Sequence, residues 1–529
     1  MKKIIKLEFL ILTFIIFVSM GWKGWLIFSG HVPFNADEAV VGLMARHILQ
    51  GERPVFFYGQ SYMGSLDAGL VSLGFLLFGE HIWVIRAVQS LLYLGLLLTT
   101  YFLGKEMFSS DKVGLIAAGL LSIPTVNMTL YTTVSLGGYG EALLLGNFIL
   151  LLTVRLWRRF RVVEAFLWGG LAGLGLWANA LTMVYVVPAL VFLIVHHRQN
   201  IHKMGKMFLW IGLGGFLGAF PWWWYALHHG WYQLVAELTG SAVSVEQVPW
   251  LARSGLHLVY FVLLGIPVIF GLRPPWAVEW LAFPLIPFAV AGWGILLFAC
   301  ARLARRQTEV QKGYRLLLGV GVTLIVGFVF TAFGVDPSGR YFLPLAVPLA
   351  LMAATGACYS QLPRWLRSAA LMGIVSFQVV GNLQTGLTYP PGLTTQFHAS
   401  TIIEHRYDEE LIQFLKDQGE TRGYTHYWVA YPLAFQSSES LLFVPRLPYH
   451  TDLRYTSRDN RYAPYDDLVK SSLRVAYITT NNPALDRLIT DGFQRFGITW
   501  KEKIIGDYHI FYALSQKVAP EELGIGEKP

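Results

Sequence analysis

Asp37 and Glu38 are adjacent carboxylates directly after the first apolar segment. They lie in the unusually polar stretch FNADEAVVGLMARHILQGERPVFFYGQSYMGSLD, residues 34–67. If a helix begins here, neighbouring side chains point about 100° apart, so only one of the pair can face a given substrate atom. That pattern suits one general base and one structural partner. It equally suits helix capping, with Asn35 or Asp37 as N-cap and acids in the first turn favoured by the dipole. The two readings are compatible, because a helix N-terminus favours the ionised carboxylate that a base requires.

Further groups could handle an anionic substrate. Arg340 and Tyr341 lie in DPSGRY, between two apolar runs. A guanidinium there can fork onto a phosphate; alternatively it pairs with Asp336 or with lipid headgroups. Arg46 is a second basic candidate for a donor phosphate. Tyr58, Tyr62, Asp67, Glu141 and Asp336 are weaker substrate-binding candidates. Asp67 and Glu141 each open an apolar helix, where the dipole alone accounts for an acid. The histidines are scattered, and His228-His229 lacks metal-ligand spacing with a nearby carboxylate. Cys300 and Cys358 form no disulfide or metal framework. No metal site is expected from the residues, although a divalent ion is left open as an assistant, and no other cofactor is implied. Trp222-Trp223-Trp224 reads as an interfacial aromatic belt, with sugar stacking as the alternative.

The elements that must position these groups are membrane helices. The chain is 54% hydrophobic and only 14% charged, against about 25% charged in soluble domains. Continuous apolar runs of about 20 residues exclude a soluble enzyme and favour helices over a barrel. The +8 charge sits in short loops and shows no basic face with interleaved aromatics, so a nucleic-acid partner is excluded. Eleven spans are expected: 8–29, 82–104, 113–131, 139–155, 164–179, 181–196, 207–226, 280–301, 316–334, 341–360 and 368–386. Residues 255–271 are read as a re-entrant or interfacial helix. Counting them as a crossing would put Arg302, Arg305, Arg306, Lys312 and Arg315 outside, against the positive-inside rule, and Pro267 with RPPW breaks the helix.

In this frame nineteen Lys and Arg face the cytoplasm and seven the outer side of the membrane portion. The N-terminus is then cytoplasmic, its first span retained rather than cleaved. Beyond the linker TYPPGLTTQ the composition turns polar. Helices are expected at 407–419 and 484–496, strands at 424–430, 441–444 and 474–480, and a hairpin of 500–505 with 508–514. The tail after Ala519 reads as disordered. The expected architecture is a polytopic α-helical membrane protein, residues 1–386 with an outer loop at about 31–80, carrying a small extracytoplasmic α/β domain, residues 387–529. The compact loops fit a bacterial plasma or inner membrane.

Asp-Glu in the first outer loop, the LFG at 77–79 and SGRYFLPL at 338–345 together resemble the GT-C membrane glycosyltransferases. The resemblance is to family 39-like enzymes, the protein O-mannosyltransferases and lipid A aminoarabinose transferases, over roughly residues 30–360. It implies transfer of a sugar, with inversion, from a polyprenyl-phosphate donor to a glycan, lipid or protein acceptor at the outer membrane face. It further implies Asp37 as the catalytic acid position with Glu38 its neighbour, and Arg340 near the donor phosphate. Two departures bear on the acceptor: Val40-Val41-Gly42 replaces a Tyr that often follows the acidic pair, and QSYMGSLD stands in place of a Pro-rich turn. The alternatives are a transporter or flippase of lipid-linked sugars, which would need polar groups across the membrane, and a non-catalytic assembly protein, which would tolerate changes at Asp37, Glu38 and Arg340.

Overall fold

The computed structural model describes residues 2–238, 248–388, 392–450 and 452–526. Within the expected linker, 389–391 lie outside the described residues, as do the side chains of Lys2, Lys3 and Lys6. The chain forms two compact units. One comprises Met1–Ser29, Ser61–Asp67 and Arg86–Gly386; the other comprises Gly30–Gln60, Ala68–Ile85 and Leu387–Pro529.

Among the described residues, nine helices are long and apolar enough to cross a membrane, from Leu7–Phe28 to Arg364–Leu387. Phe17, Leu263 and Phe298 are more than half exposed on them, as expected for helices whose outer surface meets lipid. The protein is an integral membrane protein. Shorter apolar helices join these: Val162–Ala178 packs on Ile201–Gly218 through glycines on both sides. A Cβ on Gly169 would strike the carbonyl of Ile211, and one on Gly214 the carbonyl of Phe166, so the backbones approach as only small residues permit.

Two expected spans are divided. Residues 113–131 are two helices, Asp111–Leu120 and Val126–Tyr131. Pro124 disfavours helical backbone just before it, and Asn382 Nδ2 donates to the freed Pro124 carbonyl at 2.7 Å. The run 207–226 is likewise divided, into Ile201–Gly218 and Phe220–His229, with Pro221 opening the second helix. Residues 255–271, expected as a re-entrant or interfacial helix broken at Pro267, lie in a helical run, Trp250–Ile269, that continues past that proline and is long and apolar enough to cross a membrane. A wider π turn at Phe261–Gly265 lies just before Pro267; it relieves the proline ring's clash with the carbonyl four residues back.

The second unit is built on a five-stranded sheet in the order Leu442–Pro445, Arg422–Thr425, Ala476–Thr480, Tyr508–Tyr512, Lys501–Ile505. The first three strands run parallel and the last two pair antiparallel. Leu411, Leu415, Val429, Phe443, Ile478 and Ile510 form its core. The expected strand 424–430 ends at Thr425, and Tyr427–Gln436 is a helix. The tail expected to be disordered folds as far as it is described, to Gly526: Leu523 and Ile525 are buried, and residues 521–524 form turns. The helix Ala36–Leu49 belongs to this unit and packs on Tyr427–Gln436. Gly42 makes the approach possible, since a Cβ there would lie 2.6 Å from the Phe435 ring.

Candidate active site

The acidic pair separates into two roles at the start of Ala36–Leu49. Asn35 is the N-cap: its side chain accepts from the Asp37 amide at 2.8 Å, and Glu38 reaches back to the Asn35 amide in a capping box. Glu38 is fully buried there and holds the turn through this cap. Asp37 points the other way. It is half-buried, and its Oδ1 accepts a hydrogen bond from the Tyr427 hydroxyl. Arg461 lies over the Tyr427 ring, 5.3 Å from its centroid. Nearby Asp459 is buried, and burial pushes its carboxyl up to about 7 despite the opposing Arg461; Asp37 adds to the rise.

Behind this turn is a closed polar network. Arg46 donates from Nε to Glu80 at 2.6 Å, from Nη1 to Glu439 at 3.3 Å and from Nη2 to the Phe435 carbonyl at 3.1 Å. Its guanidinium thus has three protein acceptors. Tyr58 donates to Glu52 at 2.7 Å, contacts His47 Nδ1 at 2.9 Å and stacks on Tyr462. Glu439 also contacts His47 Nε2 at 3.0 Å and accepts from Tyr465 at 2.7 Å. Burial alone would raise Glu439, but His47, Tyr465 and Arg46 hold it down at about 2. Tyr58, expected as a substrate contact, is thus a member of this network.

The first unit contributes a different constellation. Arg340 pairs with Asp336 at 2.5 Å and lies 5.1 Å from the Tyr341 ring centroid. Asp336 also accepts from the Ser338 amide at 2.8 Å. Burial would raise the Asp336 carboxyl, but the Arg340 guanidinium outweighs this and holds it low. The buried Nε of Arg340 meets no acceptor among the described residues. Beside Arg340, a cleft of about 370 Å³ is lined by Tyr62, Tyr139 and Tyr341 together with Val184, Leu324 and Phe328. Tyr62 is aimed by a backbone bridge between Met63 and Asn179 and by Ser61, whose amide donates to Glu237 at 2.6 Å.

Asp67 and Glu141 come together in the same unit, both buried. Asp67 accepts from Gln89 Nε2 at 2.8 Å and from Ser135 at 2.5 Å, and it lies within hydrogen-bonding reach of the Glu141 carboxyl. Neither Glu141 oxygen receives a hydrogen bond from another described group. Burial pushes Asp67 up against its hydrogen bonds. Among the described residues no group of three or more His, Cys, Asp or Glu could hold a metal ion. Sequence reasoning missed Tyr427, Asp459 and Arg461. The available signal was the aromatic run YTHYWVAYPLAF, whose Tyr427 and Tyr431 stand four apart on one helix face.

A family model described as dolichyl-phosphate-mannose-protein mannosyltransferase matches residues 68–225. That range contains LFG but neither FNADEA nor SGRYFLPL. The fold resembles ArnT from Cupriavidus metallidurans bound to undecaprenyl phosphate, at 12% identity and a TM-score of 0.56, covering 96% of this chain and 97% of that one. It also resembles the apo oligosaccharyltransferase of Archaeoglobus fulgidus, at 11% identity and 0.54, covering 89% and 69%. The mycobacterial arabinofuranosyltransferase AftD aligns at 14% identity and 0.50, covering 95% of this chain and 41% of that one. No curated protein sequence matches the chain.

Proposed function

We propose that this chain, which has the GT-C fold of membrane glycosyltransferases, transfers a sugar from a polyprenyl-phosphate donor to an acceptor hydroxyl. The observation that carries the reading is the apolar, tyrosine-edged cleft beside Arg340, whose buried Nε still has a hydrogen to give. An isoprenoid chain suits the aliphatic and aromatic lining, and a phosphate suits a guanidinium fork. The matching family description and the undecaprenyl phosphate bound in the ArnT structure support the same donor class.

In this reaction Asp37 takes the proton of the acceptor hydroxyl. The acceptor oxygen bonds to the anomeric carbon from the face opposite the phosphate, and the carbon–oxygen bond to phosphate breaks. Polyprenyl phosphate leaves with the electron pair, its charge met by Arg340, and the configuration inverts. Glu38, Asn35 and Tyr427 position Asp37, while Tyr62, Tyr139 and Tyr341 contact the donor. The Lys and Arg distribution supports a cytoplasmic N-terminus and chemistry on the outer face.

The test is incubation of the purified protein with short-chain polyprenyl-phosphate sugars, with mass spectrometry of released polyprenyl phosphate. Release by wild type and loss of release in Asp37→Asn is expected. Equal release by both proteins removes Asp37 as the base.

A further inference from the structure

A second cleft of about 370 Å³ lies where the C-terminal ends of Ile286–Ala304 and Ala346–Tyr359 meet the start of Arg364–Leu387. The apolar run Arg340–Tyr359 has 20 residues, roughly 30 Å at 1.5 Å per residue, which is the thickness of a bilayer's hydrocarbon core. Arg340 begins that run and Tyr359 ends it, so this cleft and the donor-site arginine mark opposite membrane faces.

The lining is mainly apolar, with Phe298, Leu303 and Leu366 among its walls. Arg302 and Arg306 also line it, four residues apart and therefore on one side of the helix and its continuing turn. No carboxylate lines the cleft, and neither guanidinium has a counter-charge among the described residues. The buried Ser360 hydroxyl, also in the lining, has no hydrogen-bond partner among the described residues. Arg367 is different: it caps the Ala357 carbonyl at 2.8 Å.

We propose that this cleft binds an anionic phospholipid. Its phosphodiester sits between the Arg302 and Arg306 guanidiniums and accepts the Ser360 hydroxyl, and an acyl chain follows Phe298 and Leu366 toward the hydrocarbon. Two uncompensated arginines select anionic over zwitterionic headgroups, and the greasy wall selects a lipid over a soluble anion. The site is independent of the sugar-transfer reading.

The experiment is native mass spectrometry of the full chain in detergent, titrated with phosphatidylglycerol or phosphatidylcholine. At roughly fivefold for each arginine, phosphatidylglycerol is expected to bind about twenty-five-fold more tightly. Arg302→Gln/Arg306→Gln reduces its binding to the phosphatidylcholine level. Leu366→Trp, which keeps both charges and fills the cleft, also lowers phosphatidylglycerol binding and supplies the test should the double variant not fold. Equal binding of the two lipids by wild type overturns the proposal. So does undiminished binding by the folded double variant or by Leu366→Trp. Displacement of phosphatidylglycerol by millimolar inorganic phosphate would instead identify a site for soluble anions.

Discussion

Tyr427 donates its phenolic hydrogen to Oδ1 of Asp37, 390 residues earlier in the chain. The bond restrains the rotation of the carboxylate, whose second oxygen is the one that would take the acceptor proton in the proposed reaction. Removing a hydrogen bond to a charged group costs about 1.5–3 kcal/mol. Tyr427→Phe is therefore expected to lower kcat by about tenfold or more while leaving the donor KM near wild type. A changed donor KM with unchanged kcat would assign Tyr427 to binding instead.

Arg340 is expected to act on the donor. Arg340→Ala should raise the KM for a polyprenyl-phosphate sugar more than that for the acceptor. Arg340→Lys should fall between, because lysine keeps the charge but loses the fork. Equal effects on both substrates in steady-state assays would argue against a phosphate contact.

Arg46 tests the opposite expectation. Its buried guanidinium lies between the partly exposed Glu80 and Glu439, and removing a hydrogen bond to a charged group costs about 1.5–3 kcal/mol. Arg46→Ala should lower the melting temperature in detergent, with the donor KM of the surviving folded protein unchanged. A raised KM at unchanged melting temperature would restore a phosphate role.

Asp459 gives the protein a pH dependence with a definite sign. Its folded value is about 7, against about 3.9 in an unfolded chain. Below about pH 4 both states hold the proton and the group is neutral in effect. Between about pH 4 and 7 the folded state retains a proton that the unfolded state has released, so stability falls as pH rises, by at most about 4 kcal/mol. Melting temperatures from pH 5 to 8 should decline in wild type and decline less in Asp459→Asn; parallel curves would exclude Asp459 as the cause.

Much of this was legible in the sequence because the signals are local. Long apolar runs specify spans, and Asn35-x-x-Glu38 specifies a capped helix start. The C-terminal helices and strands followed from their periodicity. What failed was non-local or compensated. Pro267 reads as a helix breaker unless the wider turn before it is foreseen. Thr425 and Tyr427 are both common in strands, yet one ends a strand and the other begins a helix whose partner is Ala36–Leu49. Arg46 and Tyr58 look available to a ligand until Glu439 and Glu52, from distant and nearby parts of the chain, are seen to hold them.

The second unit is assembled from residues before and after the main run of apolar helices, and this sets a rule of parity. Asp37 and Tyr427 can share a hydrogen only on the same side of the bilayer. The chain must therefore traverse the membrane an even number of times between Ser29 and Leu387. The ten later spans read from the sequence satisfy that condition. If Trp250–Ile269 is a full traverse as well, one of those ten must turn back on the side it entered. Any threading with an odd total would leave the acidic turn and the sheet with water on opposite sides of the lipid, and this unit could never close.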